Sequence, residues 1–210
     1  MKAYNTNTLL VNEIFYSIQG ESLTAGEPTT FIRLTGCPLR CSYCDTSYAF
    51  KDGKELSFEN IITKISSYNT SLVTVTGGEP LVRRNIDQLI RKLSTIDEID
   101  DIAMTTNAYL LESKLDGLID AGLNRLTVSL DSIDDKTFKK MSGQDFDVNK
   151  VLSAINQANK KGFKKIKINC VIQKNVNEHS ILDLLDHFRD SGNIVTVSYT
   201  HLTLPTNREV

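Results

Sequence analysis

Three cysteines fall within eight positions of this 210-residue chain, in the segment Thr35-Gly-Cys37-Pro-Leu-Arg-Cys41-Ser-Tyr-Cys44-Asp-Thr46. The spacing C-x3-C-x2-C puts three thiolates on one short loop, enough to hold three irons of a cubane iron–sulfur cluster. The fourth iron then lacks a protein ligand, as a cluster that must bind a small molecule requires. The alternative at this point is a structural zinc site, which ordinarily closes around four ligands. The histidines, His179, His187 and His201, lie far downstream. Cys170 alternates with Ile166, Ile168 and Ile172, the pattern of one strand face, and reads as a small buried residue. A disulfide would leave one clustered cysteine unpaired, and clustered cysteines in a reducing compartment more often mark metal or redox chemistry.

Other reactive or polar groups gather where apolar runs stop. Thr76-Gly-Gly78-Glu79-Pro80 follows LVTV, Thr105–Asn107 closes DIAMTT, and Ser129 and Asp131 close RLTVSL. Alone, the Gly-Gly pair is a tight turn and Ser129 is a polar strand cap. Arg33, on the run FIRL before the cysteines, offers a bidentate fork for a carboxylate or a snorkelling stem at the surface.

The elements that must position these groups alternate between two periods. The runs FIRL, LVTV, DIAMTT, RLTVSL, IKINCVI and NIVTV have the β-branched content of buried parallel strands. Between them, Ile86, Leu89, Ile90 and Leu93 share one helical face, as do Leu111, Leu115, Leu118 and Ile119. Val148, Val151, Leu152 and Ile155, then Ile181, Leu184, Leu185 and Phe188, repeat the pattern before Gly162 and Gly192. Strand–helix repetition implies an α/β fold, and the polar strand ends place the chemistry at the C-terminal edge of a partial barrel. No G-x-G-x-x-G follows a strand, which disfavours a dinucleotide-binding unit.

Composition narrows the class further. With 40% hydrophobic and 24% charged residues the chain can bury a core, and its net charge of -2 gives no basic footprint for nucleic acid. No run approaches the ~18 apolar residues of a membrane span, and no signal peptide opens the chain, so a cytoplasmic protein is expected.

The cysteine spacing, with Tyr43 before the last cysteine, closely resembles the radical S-adenosylmethionine (radical SAM) signature. That resemblance implies a partial (β/α)6 barrel of the radical SAM type. It also implies a 4Fe–4S cluster on Cys37, Cys41 and Cys44, with SAM chelating the open iron. One electron then cleaves SAM to methionine and a 5′-deoxyadenosyl radical. It further implies Tyr43, Asp45, Gly78 and Ser129 around SAM, and an electron donor such as flavodoxin or ferredoxin. A homodimer is one arrangement open to it.

Two families are resembled more closely. Residues 11–81, through Asn12-Glu-Ile-Phe-Tyr-Ser-Ile18-Gln-Gly-Glu21, Phe31-Ile-Arg33-Leu and Cys44-Asp-Thr46, resemble 7-carboxy-7-deazaguanine synthase of queuosine-type biosynthesis. This likeness implies a lyase acting on a pterin, with Ile18, Gln19, Gly20, Arg33 and Thr76 on substrate and Thr46 on Mg²⁺. Residues 76–195, through Gly78-Glu-Pro-Leu-Val-Arg83-Arg84, Met104-Thr105-Thr-Asn107, Val128-Ser129-Leu-Asp-Ser132 and Lys164-Lys-Ile-Lys167, resemble GTP 3′,8-cyclase of molybdenum-cofactor biosynthesis. This likeness implies a purine nucleotide substrate touched by Thr105 and Lys167. Two features depart from the cyclase: Thr74 stands where it has an arginine, and no cysteine follows Cys170 to build its second cluster. The expectation is therefore a synthase-like activity, with the cyclase as the alternative and a zinc-binding interaction module as a further one. The closing SYTHLTLPTNREV, residues 198–210, fits neither family and resembles translated adapter sequence. The expectation is a possible chimera, with one core domain over residues 1–197 and a non-native tail over 198–210.

Overall fold

A computed structural model of the chain describes residues 7–20 and 23–199. Eight strands form one sheet: β1 (Thr8–Ile18), β2 (Pro28–Leu34), β3 (Lys54–Ser57), β4 (Leu72–Thr76), β5 (Asp101–Thr106), β6 (Arg125–Ser129), β7 (Lys167–Ile172) and β8 (Ile194–Tyr199). Their order is β3-β1-β2-β4-β5-β6-β7-β8. Strand β1 runs antiparallel to β2 and β3, while β2 and β4 through β8 pair in parallel. The six parallel strands are the partial barrel expected from the sequence, left open because β3 and β8 are the two ends of the order.

Each strand has two chemically different faces. Val73, Val75, Ile102, Met104, Leu126, Val128, Ile168, Cys170 and Ile172 belong to the hydrophobic core, each at most 3% exposed. The alternate residues Thr74, Thr76, Thr105, Thr127, Ser129 and Asn169 are polar. Side chains alternate faces along a strand, so one face takes the helices and the other lines the barrel interior. The parallel strands are therefore uniformly apolar on one face and mixed on the other, where Phe31, Ala103 and Val171 stand among the polar residues.

The covering helices are α1 (Phe58–Ser66), α2 (Ile86–Leu93), α3 (Leu111–Asp120), α4 (Asp135–Ser142), α5 (Val148–Lys160) and α6 (Ile181–Phe188). In α2, Ile86, Leu89, Ile90 and Leu93 are all 0% exposed, as their spacing predicts; each contributes about 1.5–3 kcal/mol of gross burial energy. Helix α1 begins at Ser57, whose hydroxyl accepts from the Asn60 N–H at 3.2 Å. Helix α4 begins at Asp134, which accepts from the Thr137 N–H at 2.8 Å, and ends on Gly143 at φ 66°. These caps satisfy groups that a helix end leaves open.

Strand β8 includes Ser198 and Tyr199, paired with Val171 and Ile172. The strand thus runs two residues into the segment expected to be a tail. Residues 200–210 lie outside the described residues.

Candidate active site

The cysteine loop leaves β2 and is held against the turn after β4 by backbone contact. Gly77 and Gly78 have φ of 72° and 54°, a region where a side chain is strained. A Cβ on Gly78 would lie 2.4 Å from the Gly36 carbonyl oxygen. That carbonyl accepts from the Glu79 N–H at 3.0 Å, and the Gly36 N–H donates to the Ala49 carbonyl at 2.9 Å. The glycine pair therefore lets one loop close directly onto the residue before Cys37.

Glu79 fixes the turn from beneath. It is 2% exposed. One carboxylate oxygen accepts from the Leu81 N–H at 3.0 Å and the Thr106 hydroxyl at 2.6 Å; the other accepts from the Asn107 N–H at 2.8 Å. Burial raises its pKa, and the three donors lower it without reversing that direction.

A second anchor reaches the loop from the far strands. The Tyr43 hydroxyl donates to the Asp131 carboxylate, whose other oxygen accepts from the Val171 N–H at 2.8 Å. The Asp131 carbonyl accepts from the Asn177 amide at 2.9 Å, and that amide also donates to the Val171 carbonyl at 2.9 Å. Burial pushes the Asp131 carboxyl up to about 6 against the opposing influence of its two donors, and burial likewise raises the Tyr43 phenol. On a third side, the Arg40 N–H donates to the Ser142 carbonyl at 3.3 Å, and Gly143 abuts the Arg40 backbone.

The three sulfurs have different surroundings. Cys37 Sγ accepts from the Leu39 N–H at 3.4 Å, Cys44 Sγ lies 3.6 Å from the Thr46 hydroxyl, and Cys41 Sγ lies 3.9 Å from the Ser142 carbonyl. Burial pushes the Cys37 thiol up to about 11 and raises the Cys41 thiol. Cys170, 1% exposed and 3.5 Å from the Asp131 carbonyl, stands apart from the loop as a core residue.

One cavity of about 1010 Å³ takes in all three loop cysteines, with Tyr43, Asp45, Thr46, Gly78 and Ser129 in its wall. Arg33, Thr76 and Thr105 line it too. Four expected site residues do not line it. Ile18 is 52% exposed, and Gly20 is exposed beyond the end of β1. Gln19 donates to the Thr74 hydroxyl at 3.4 Å. Lys167 is buried on β7, on the strand face of Asn169 and Val171 but deeper than both. Arg33 is already engaged: its Nε is 2.7 Å from Glu13, and Glu13 also accepts from the Tyr48 hydroxyl at 3.0 Å.

Sequence reasoning missed the anchoring role of Glu79, Asp131 and Asn177. Only Glu79 carried a signal, as an acid directly after a glycine pair at a strand end. It also missed Tyr109 and Phe146, stacked at 3.9 Å in the cavity wall.

The donor set fits a cubane better than a single ion. Among the described residues no three His, Cys, Asp or Glu side chains converge to hold one metal ion. A cubane instead takes each thiolate at a separate corner. The cavity has room beside the loop for a further ligand, bordered by the glycine turn and the polar ends of β5 and β6.

Comparison with known proteins agrees with this geometry. A family model described as the Radical SAM superfamily matches residues 31–188. GTP 3′,8-cyclase from Xanthomonas axonopodis pv. citri (strain 306) is 38% identical over 182 residues, covering 81% of this chain and 54% of the relative. GTP 3′,8-cyclase from Staphylococcus haemolyticus (strain JCSC1435) is 38% identical over 180 residues, covering 80% and 53%. The chain spans about half the length of the curated relatives it matches. A match to 81% of 210 residues spans about 170 of them, so it starts no later than about residue 41, well before Thr76. Among solved structures, QueE from Escherichia coli superposes with a TM-score of 0.59 at 19% identity, over 91% of this chain and 84% of that one. Native anSMEcpe with bound AdoMet and a Kp18Cys peptide gives 0.60 at 19% identity, over 80% and 49%. At such identities these two structures establish the shared fold.

Proposed function

Because this chain belongs to the radical SAM superfamily, we propose that it generates a 5′-deoxyadenosyl radical and directs it onto a purine-derived heterocycle, GTP in the first reading. When bound, a 4Fe–4S cluster on Cys37, Cys41 and Cys44 supplies the electron that cleaves SAM. The chain's own residues do the positioning. Glu79 and the glycine turn hold the loop at one edge of the cavity, and Tyr43 with Asp131 holds it at the other. Ser129 and Thr105, on adjacent strands, offer hydroxyls from the barrel wall.

The observation that carries the GTP reading is the 38% identity to GTP 3′,8-cyclase across 81% of this chain. A second reading, 7-carboxy-7-deazaguanine synthase-like ring contraction of 6-carboxytetrahydropterin, is favoured by one specific placement: Arg33, Thr46 and Thr76 share the cavity with the cysteines. The synthase likeness supplies Mg²⁺ at Thr46 and a carboxylate at Arg33; in the second reading that carboxylate would have to compete with Glu13. The test is anaerobic incubation with SAM, a reductant and each substrate in turn, with products resolved by mass. Cyclised GTP, or GTP-stimulated release of 5′-deoxyadenosine, supports the first reading. Ring-contracted pterin product without any response to GTP replaces it with the second.

A further inference from the structure

The hydroxyl of Thr46 has an unusual use. Thr46 is the N-cap of the 3-10 turn Ser47–Phe50, where a threonine oxygen ordinarily accepts from the turn's own N–H groups. Here it caps nothing; the turn is closed by its backbone carbonyl, which accepts from the Ala49 N–H at 2.8 Å. The hydroxyl lies instead 3.6 Å from Cys44 Sγ, within hydrogen-bond reach for a large sulfur atom. Either atom can donate while the cysteine is a thiol. Once Cys44 is a thiolate ligand it has no proton, so the hydroxyl is the donor and the sulfur the acceptor.

The other two sulfurs have different partners. Cys37 Sγ receives a backbone N–H, while Cys41 Sγ faces the Ser142 carbonyl and the Tyr43 hydroxyl, which is shared with the Asp131 carboxylate. The Thr46 donor to Cys44 is a side chain with no other hydrogen-bond partner of its own among the described residues, so that bond can be removed without altering the main chain. Hydrogen bonds to ligand sulfur withdraw electron density and help set a cluster's potential. We propose that Thr46 donates to the Cys44 thiolate and raises the reduction potential of the cluster, making the electron that starts the reaction easier to load. The proposal rests on the superfamily chemistry above and gives Thr46 a task other than the Mg²⁺ ligation implied by the synthase likeness.

The test is a redox titration followed by electron paramagnetic resonance. It uses anaerobically reconstituted wild-type protein, Thr46→Val and Thr46→Ser. Thr46→Val, which keeps the shape and removes the donor, shifts the midpoint to more negative potential; Thr46→Ser stays close to wild type. An intact cluster in Thr46→Val with an unchanged midpoint overturns the proposal. So does a Thr46→Val protein that keeps the midpoint and loses only a response to Mg²⁺. If Thr46→Val fails to retain iron, Thr46→Ala repeats the measurement without the branched methyl. Loss of iron from both, with retention by Thr46→Ser, supports the hydroxyl-to-sulfur bond, and loss from all three overturns it. Wild-type protein that assembles no cluster removes the proposal together with its premise.

Discussion

Removing the Glu79 carboxylate should loosen the cysteine loop without touching a cysteine. Glu79→Ala leaves three donors, the Leu81 and Asn107 N–H groups and the Thr106 hydroxyl, facing a void. An unsatisfied buried donor costs about 1–3 kcal/mol. Burying the charge carries its own penalty, visible in the raised pKa, and the substitution recovers that part. The net expectation is a loss on the order of 3 kcal/mol, a large fraction of the ~5–15 kcal/mol that holds a domain together. Glu79→Gln should lose less, about 1–2 kcal/mol, because its carbonyl keeps the two bonds at one oxygen while its amide opposes the Asn107 N–H. The pH dependence has a definite sign. A raised folded pKa means that the fold binds this proton more tightly than the unfolded chain does. Wild-type stability therefore falls as pH rises from the ordinary carboxylate range through the raised value. Glu79→Gln lacks that slope, so its deficit against wild type shrinks as pH rises. Urea unfolding of the cluster-free proteins at several pH values measures both effects. A Glu79→Ala midpoint equal to wild type would refute the anchoring argument, and a deficit that grows with pH would refute the sign.

Further substitutions separate loop anchoring from ligation. Gly78→Ala places a Cβ 2.4 Å from the Gly36 carbonyl at φ 54° and should cost at least ~1–2 kcal/mol of backbone strain, with reduced iron retention. Gly20→Ala, where a Cβ meets nothing within 4 Å, should leave thermal stability unchanged. Tyr43→Phe removes a donor to a buried carboxylate and should lower stability by about 1.5–3 kcal/mol, read by denaturant titration. Cys170→Ala should cost about 1–2 kcal/mol in the core and leave the iron content of reconstituted protein at the wild-type level.

The six parallel strands were legible from their β-branched runs, and four of the helices because their sequences repeat one spacing over a useful length. Ile86, Leu89, Ile90 and Leu93 signal a helix with no outside help. Strand β1 was not legible: Asn12, Glu13 and Ser17 interrupt its apolar pattern, and only Leu9 and Val11 are fully buried along it. Helix α1 carried a Ser57 cap and Phe58, Ile61 and Ile65 on one face, a signal present in the sequence and left unused. The cysteine loop was legible because thiolate spacing is local. What holds it was not, since Tyr43 meets Asp131 across 88 residues and Glu79 meets Asn107 across 28; pairings at such separations are fixed by sheet order. Lys167 and Gln19 show the converse. A motif likeness assigns them to substrate, while in the fold Lys167 is buried on β7 and Gln19, just past the end of β1, donates to the Thr74 hydroxyl.

Anaerobic reconstitution followed by reductive SAM cleavage tests the central claim most directly. Wild-type protein should hold about four irons and four sulfides per chain and, with a strong reductant, release 5′-deoxyadenosine and methionine from SAM. Cys37→Ala, Cys41→Ala and Cys44→Ala should each abolish that release. Stoichiometric zinc without iron, or a full cluster that leaves SAM intact under reduction, would contradict the account.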